Sequence, residues 1–179
     1  MFVAQKLRAQ SITGYVIYMF QVEDVIRAYA LDIDRICQEY LPRFHYAGEQ
    51  LRQEREWYEA LIGMMREEGV QQAGHVQVVR NTITLLSDRH QELLRDPKQP
   101  FYGAAYYKAL PFIVELRAHG AAREKGEIEN CLDAVYGAAL LRMQGRELSA
   151  ETQQGLAPIT RLLEMLSELY HADDAELEA

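Results

Sequence analysis

The feature that most constrains this chain is a run of apolar residues in which steps of three and four alternate without a break: Ile12, Tyr15, Met19, Val22, Ile26, Tyr29, Ile33 and Ile36. Such spacing keeps one face of an α-helix apolar, so the segment is one helix, or two nearly collinear ones meeting near Asp32. The repeat averages about 3.5 residues, and its drift against 3.6 per turn suits the shallow left-handed crossings of helix bundles. Ser11 offers a hydroxyl as N-cap, and Pro42 closes the segment. A chain that opens in this way needs other helices to cover the stripe.

The same period recurs along the sequence. A second helix is expected from about Gly48 to Glu68, polar in its first half, apolar through Trp57, Leu61, Met64 and Met65, and ended by Gly69. A third, from about His75 to Arg95, carries Val76, Val79, Ile83, Leu86, His90 and Leu93 and stops at Asp96-Pro97. A fourth begins after Pro100. A fifth runs from about Glu127 to Gln144 on Ile128, Leu132, Val135 and Ala139, and a sixth starts at Ser149 as N-cap and carries Leu156, Ile159, Leu163, Leu166 and Tyr170. Period-two alternation with β-branched enrichment is absent, as are Asn-Gly and Asp-Gly turn pairs. The expected fold is all-α: an up-down multi-helix bundle of about six helices, one domain over residues 1–171, with an acidic, disordered tail at 172–179.

With 179 residues, 49% of them hydrophobic, the chain can bury one core without a metal or disulfide staple. Its 27 acidic residues outnumber 19 Lys and Arg, giving a net charge of -8 with no basic cluster, so no nucleic-acid partner is expected. Cys37 and Cys131 have no second Cys or His at metal or redox spacing, which reads as reduced cytoplasmic thiols. Lys6 and Arg8 before the apolar run Ile12 to Phe20, followed by Ala28-Tyr29-Ala30, imitate a secretion signal, but Glu23, Asp24 and Arg27 interrupt it and the helical register continues through. The run is too short to span a bilayer, so no membrane partner is expected either.

Candidate functional residues concentrate in FYGAAYYKALPFIVELRAHG, residues 101–120. At 100° per residue, Tyr102, Ala105, Tyr106, Ala109, Ile113 and Leu116 share one face, while Gly103, Tyr107, Leu110 and Val114 form a second apolar stripe nearly opposite. Lys108 and Glu115, with His119 one turn on, make up the narrow polar strip. A helix apolar on both sides is either the centre of its bundle or covered in part by a partner subunit. Pro111 removes a backbone donor and kinks or breaks the helix. Two readings of the tyrosines stay open: core rings with hydroxyls at the rim, or a pocket with Tyr102, Tyr106, Lys108 and Glu115 near its mouth.

Elsewhere, Glu23 lies near the stripe of the first helix with Arg27 one turn later to pair with it, as a structural ion pair or a polar pocket wall. His90 falls on an apolar stripe in the last turn of its helix, where it bonds a carbonyl or serves a site. The five histidines are scattered, so neither a metal nor a cofactor is expected. Nucleophile elbows, P-loops and dinucleotide fingerprints are missing, and the glycines mark helix ends or close helix contacts such as Gly137-Ala138-Ala139.

The phrases MFVAQKLRAQSITGYVIYMFQVEDVIRA, EWYEALIGMM, PFYGAAYYKALPFIVELRA and YGAALLRMQGRELS together resemble an uncharacterised domain-of-unknown-function family found in anaerobic Bacteroidetes, over residues 1 to about 170. The resemblance implies a cytoplasmic, stand-alone, all-helical protein and brings no activity, substrate or catalytic residue with it. Two functional expectations follow from the residues. The first is a non-catalytic helical interaction protein, a homodimer built on the Tyr107, Leu110 and Val114 stripe or the Met64-Met65 region. The alternative is a small-molecule binder or enzyme with a polar pocket between the first, third and fourth helices, where Glu23, Arg27, His90, Tyr106 and Lys108 converge.

Overall fold

Ser11 decides how the chain enters its bundle. The residue is extended at φ −157°, and its Oγ accepts the Gly14 N–H at 3.1 Å, so helix α2, Ile12–Ala28, starts where the sequence places it. A separate helix α1, Phe2–Gln10, precedes the cap. At the other end of α2, Ala30 and Leu31 adopt φ of 54° and 59°, and the Leu31 and Ala30 N–H groups donate back to the Ile26 and Arg27 carbonyls. That left-handed cap stops the helix, although neither residue is glycine. Asp32 then caps the short α3, Ile33–Arg35, accepting from the Asp34 and Arg35 N–H groups at 3.0 and 3.1 Å. A π turn at Ile36–Tyr40 and a 3-10 turn at Leu41–Phe44, with Pro42 inside it, complete the corner.

The computed structural model describes residues 1–118 and 120–177. The remaining helices are α4, Gly48–Glu67; α5, Gln77–Arg95; α6, Pro100–Arg117; α7, Glu127–Met143; and α8, Ala150–Leu177. Among the described residues there are eight α-helices and no strand, which corrects the expected count of six. The difference lies in α1 and α3, both shorter than the window over which an apolar period can be read. His119 and residues 178–179 of the acidic end lie outside the described residues, as do the side chains of 173–177.

One hydrophobic core runs through the bundle, and α2 stands at its centre. Val16, Val22 and Ile26 are wholly buried and Phe20 nearly so, because α1, α4, α5, α7 and α8 all pack on this helix. Helix α5 buries Val79, Ile83, Leu86, His90 and Leu93, the stripe expected from its sequence. Helix α4 buries Leu61 and Met65 as expected and adds Tyr58 and Ile62, whereas Met64 is 37% exposed and Trp57 is half-buried. Trp57-Tyr58 and Met64-Met65 are adjacent apolar pairs, so the sequence fits either register, and packing of Tyr58 edge-on against Tyr40 selects one.

Helix α6 lies at the periphery, packed chiefly on α8 and also on α5 and α7. It continues without a break through Pro111, which is exposed, so the carbonyl freed at Tyr107 faces the solvent side. Tyr102, Ala109 and Ile113 point into the core as the sequence implies. The second stripe does not reach a core at all: Tyr107 is 71% and Val114 59% exposed, and Leu110 is half-buried. Among the described residues no helix is long and apolar enough to cross a membrane.

Candidate functional site

The sequence-derived candidates separate into two polar groups. The first is built on α2. The Glu23 carboxylate is wholly buried; one oxygen meets His75 Nδ1 at 2.5 Å and the other accepts the Val76 N–H at 2.8 Å. It thereby satisfies the backbone where α5 begins, in the place of an N-cap side chain. Phe20 stacks on the His75 ring at 4.1 Å between centroids. Arg27 does not pair with Glu23, contrary to the expectation from their spacing. It binds Asp24 at 2.9 Å, the Val70 carbonyl at 3.3 Å and the Gly74 carbonyl, while Tyr136 on α7 donates to the other Asp24 oxygen at 2.7 Å. The loop from 69 to 76 supplies His75 to Glu23 and carbonyls to Arg27, and so pulls the two apart. Together these residues fasten that loop to α2.

The second group sits where α5, α6 and α7 meet. His90 is 1% exposed; its Nδ1 lies 2.6 Å from the Tyr102 hydroxyl, and the two rings are edge-on. Its Nε2 is buried and has no hydrogen-bond partner among the described residues, with Glu127 Oε2 3.7 Å away. Tyr106 packs edge-on against the imidazole and donates to the same Glu127 oxygen at 3.1 Å, and Arg117 approaches the other oxygen at 3.6 Å. A carboxylate beside Nε2 favours the tautomer that carries its proton there, leaving Nδ1 to accept from Tyr102. Burial lowers the His90 pKa, against the opposing pull of Glu127. Burial, with the Glu127 charge second, pushes Tyr106 up to about 12 and the neighbouring Cys131 thiol up to about 12.

His90, Tyr102 and Tyr106 therefore do converge, but Glu23, Arg27 and Lys108 do not join them. Lys108 is exposed on the outer side of α6, and the expected pocket between the first, third and fourth helices is replaced by two separate knots. Glu127 was missed as the hub of the second knot because it reads as an ordinary first-turn acid. Another buried carboxylate, Glu54 at 2% exposure, was hidden in the polar half of α4; it binds the Met1 ammonium at 2.6 Å. A relay of neutral tyrosine, neutral histidine and carboxylate can move a proton, yet none of its members lines the cavity described next.

That cavity, of about 480 Å³, opens between α6, α7 and α8. Phe112, Leu116, Leu141, Leu148 and Ile159 supply much of its apolar wall, and Ala134, Gly137, Ala138 and Gly155 supply the room. A methyl group built on Gly137 would touch nothing within 4 Å, so this glycine faces open space and does not mark a close helix contact. Gly155 does: a Cβ there would come within 2.9 Å of the Phe112 ring. Of the sequence candidates only Glu115 lines the cavity, with Asp133, Glu151 and Thr152 as the other polar lining groups. Asp133 is held by Lys125 at 2.6 Å, whereas Glu115 and Glu151 are exposed with no side-chain partner among the described residues.

Fold and geometry define an all-helical protein with one core, two buried polar knots and an apolar cavity edged by carboxylates. The chain belongs to the family described as Domain of unknown function (DUF4924), whose model matches residues 1–176. Neither a curated protein nor a solved structure matches it.

Proposed function

We propose that the protein is a non-catalytic helical interaction protein of the cytoplasm, an up-down bundle that pairs with a second copy of itself through the outer face of α6. The observation that carries this reading is the exposure of Phe101 (81%), Tyr107 (71%) and Val114 (59%) on one helix. With Ala104, Pro111 and Ala118, also exposed, they fall within about 140° of arc. Single exposed apolar residues are ordinary on a protein surface; an aligned stripe of them marks a contact face.

The charges on this face suit a second copy of the same surface. Lys108 and Glu115 are exposed, stand two turns apart within that arc between Ala104 and Phe101, and have no partners among the described residues. In an antiparallel pair of α6 helices crossing near Pro111, a two-fold axis sets Lys108 opposite Glu115 of the other copy, twice, and Tyr107 opposite Val114 toward the other edge of the arc. This is the self-complementarity an isologous dimer requires. The Met64-Met65 region offers less, because Met65 is buried. The two cysteines are free, Cys131 buried and Cys37 half-buried, which supports a reducing compartment.

A charge-swap series tests the reading. Lys108→Glu and Glu115→Lys each set like charges across the two-fold and weaken association, and the double variant restores it. Two residues seven apart on a helix do not face each other closely enough to pair within one chain, so restoration requires a second copy. Single variants with unchanged association, or a double variant weaker than both, would count against the pairing.

A further inference from the structure

We propose that the cavity between α6, α7 and α8 is a binding site for a small molecule with an apolar, ring-sized body and a cationic head, such as an arylalkyl ammonium. The volume of about 480 Å³ lies within the range that encloses small ligands, and the wall is mostly apolar. Among the described residues no Lys, Arg or His lines it, while three carboxylates do. Asp133 is neutralised by Lys125, which also reaches Glu129 at 3.4 Å; Glu115 and Glu151 are not neutralised. An apolar body seated against Leu141 and Ile159 would thus place its head among carboxylates with no counter-ion. A carboxylate or phosphate head would be repelled there.

The second observation is the glycine at 137. Gly137 lies in the interior of α7, where glycine is less favourable than alanine by about 1 kcal/mol, and glycine there is not required by any neighbour. With Ala134 and Ala138 it is one of the small residues that leave the cavity open on the α7 side. Glu115 sits at the border between the cavity and the outer face of α6. Glu151 belongs to the cavity alone, so the charge preference survives even where a partner copy engages Glu115.

Three probes that share one ring system and differ in charge decide the matter: naphthylmethylammonium, naphthylmethanol and naphthoate, titrated calorimetrically into the full chain. The expected order is ammonium over alcohol over naphthoate, with one site per chain and about tenfold between the first and the last, as one charge-assisted contact provides. Gly137→Leu, checked by circular dichroism to retain its helix, intrudes on the space from the α7 wall and weakens binding of all three. Glu151→Gln keeps the alcohol and lowers the ammonium preference. Because net charge alone draws cations weakly to the surface, ammonium binding that is undiminished in Gly137→Leu overturns the proposal. So does equal or reversed charge preference, or the absence of binding by every probe. Probe affinity that falls as protein concentration rises would mean that another copy of the chain occupies the cavity, and would overturn it too. The titration does not depend on whether α6 pairs, so the two readings fail separately.

Discussion

Replacing Gly137 with alanine should stabilise the protein. The residue is the eleventh of the 17-residue α7, far enough from both ends for interior helix propensity to apply. Glycine is less favourable than alanine there by about 0.8–1.0 kcal/mol, through the backbone freedom it loses on folding. Against that gain stands whatever the new methyl group displaces, and the nearest heavy atom outside its own helix lies beyond 4 Å. The expected change is therefore a gain of about 1 kcal/mol, which for a chain of this size raises Tm by about 2–4 °C. Gly155 gives the opposite case on the facing wall: its Cβ would meet the Phe112 ring at 2.9 Å, so the same propensity gain is offset by a ring that must shift. Differential scanning calorimetry on Gly137→Ala and Gly155→Ala reads both. A drop in Tm for Gly137→Ala would mean that this position is packed, and the argument for an open cavity would fall with it.

Three further outcomes follow from the polar knots and the α2 corner. Glu23→Ala strands the Val76 N–H and His75, so urea melts should show a loss of about 1–3 kcal/mol; an unchanged stability would mean that the 69–76 loop is held by other contacts. His90 has a folded pKa below its ordinary 6.5, so the unfolded chain binds more protons in the interval between the two values. Its contribution is fully present above about pH 6.5 and is lost as pH falls through the folded value. His90→Gln should cost about 1–2 kcal/mol at neutral pH, and its deficit against the native protein should shrink on acidification; a deficit that grows would reverse the sign assigned to burial. Ala30→Gly relieves a left-handed backbone at φ 54° and should add about 0.5–1 kcal/mol in thermal melts, whereas a loss would mean that the Ala30 methyl packs.

The elements most legible in the sequence were those whose partner does not matter. The α5 stripe through Val79, Ile83, Leu86, His90 and Leu93 is buried whichever helix covers it, and the Ser11 and Ser149 caps act within their own first turns. The inner face of α6 was legible for the same reason. Which helix took the centre was not: α2 and α6 are both apolar around much of their circumference, and the choice depends on how many neighbours each finds. Arg27 had two acids within reach, Glu23 and Asp24, and a loop more than 40 residues away in the chain decided between them. Likewise Glu127, an unremarkable first-turn acid, became a hub only because α7 begins beside the ends of α5 and α6. The cavity left no signature in any one segment, since it is the space that three helices leave where Gly137 and its neighbours are small.

The central claim, that the outer face of α6 pairs with a second copy, is tested most directly by sedimentation equilibrium of the native protein and Tyr107→Asp over a range of concentrations. The account predicts that the native protein approaches twice its 20.6 kDa chain mass as concentration rises, and that Tyr107→Asp stays at the chain mass with an unchanged helical spectrum. A native protein that remains at the chain mass throughout, or a dimer indifferent to Tyr107→Asp, would contradict it.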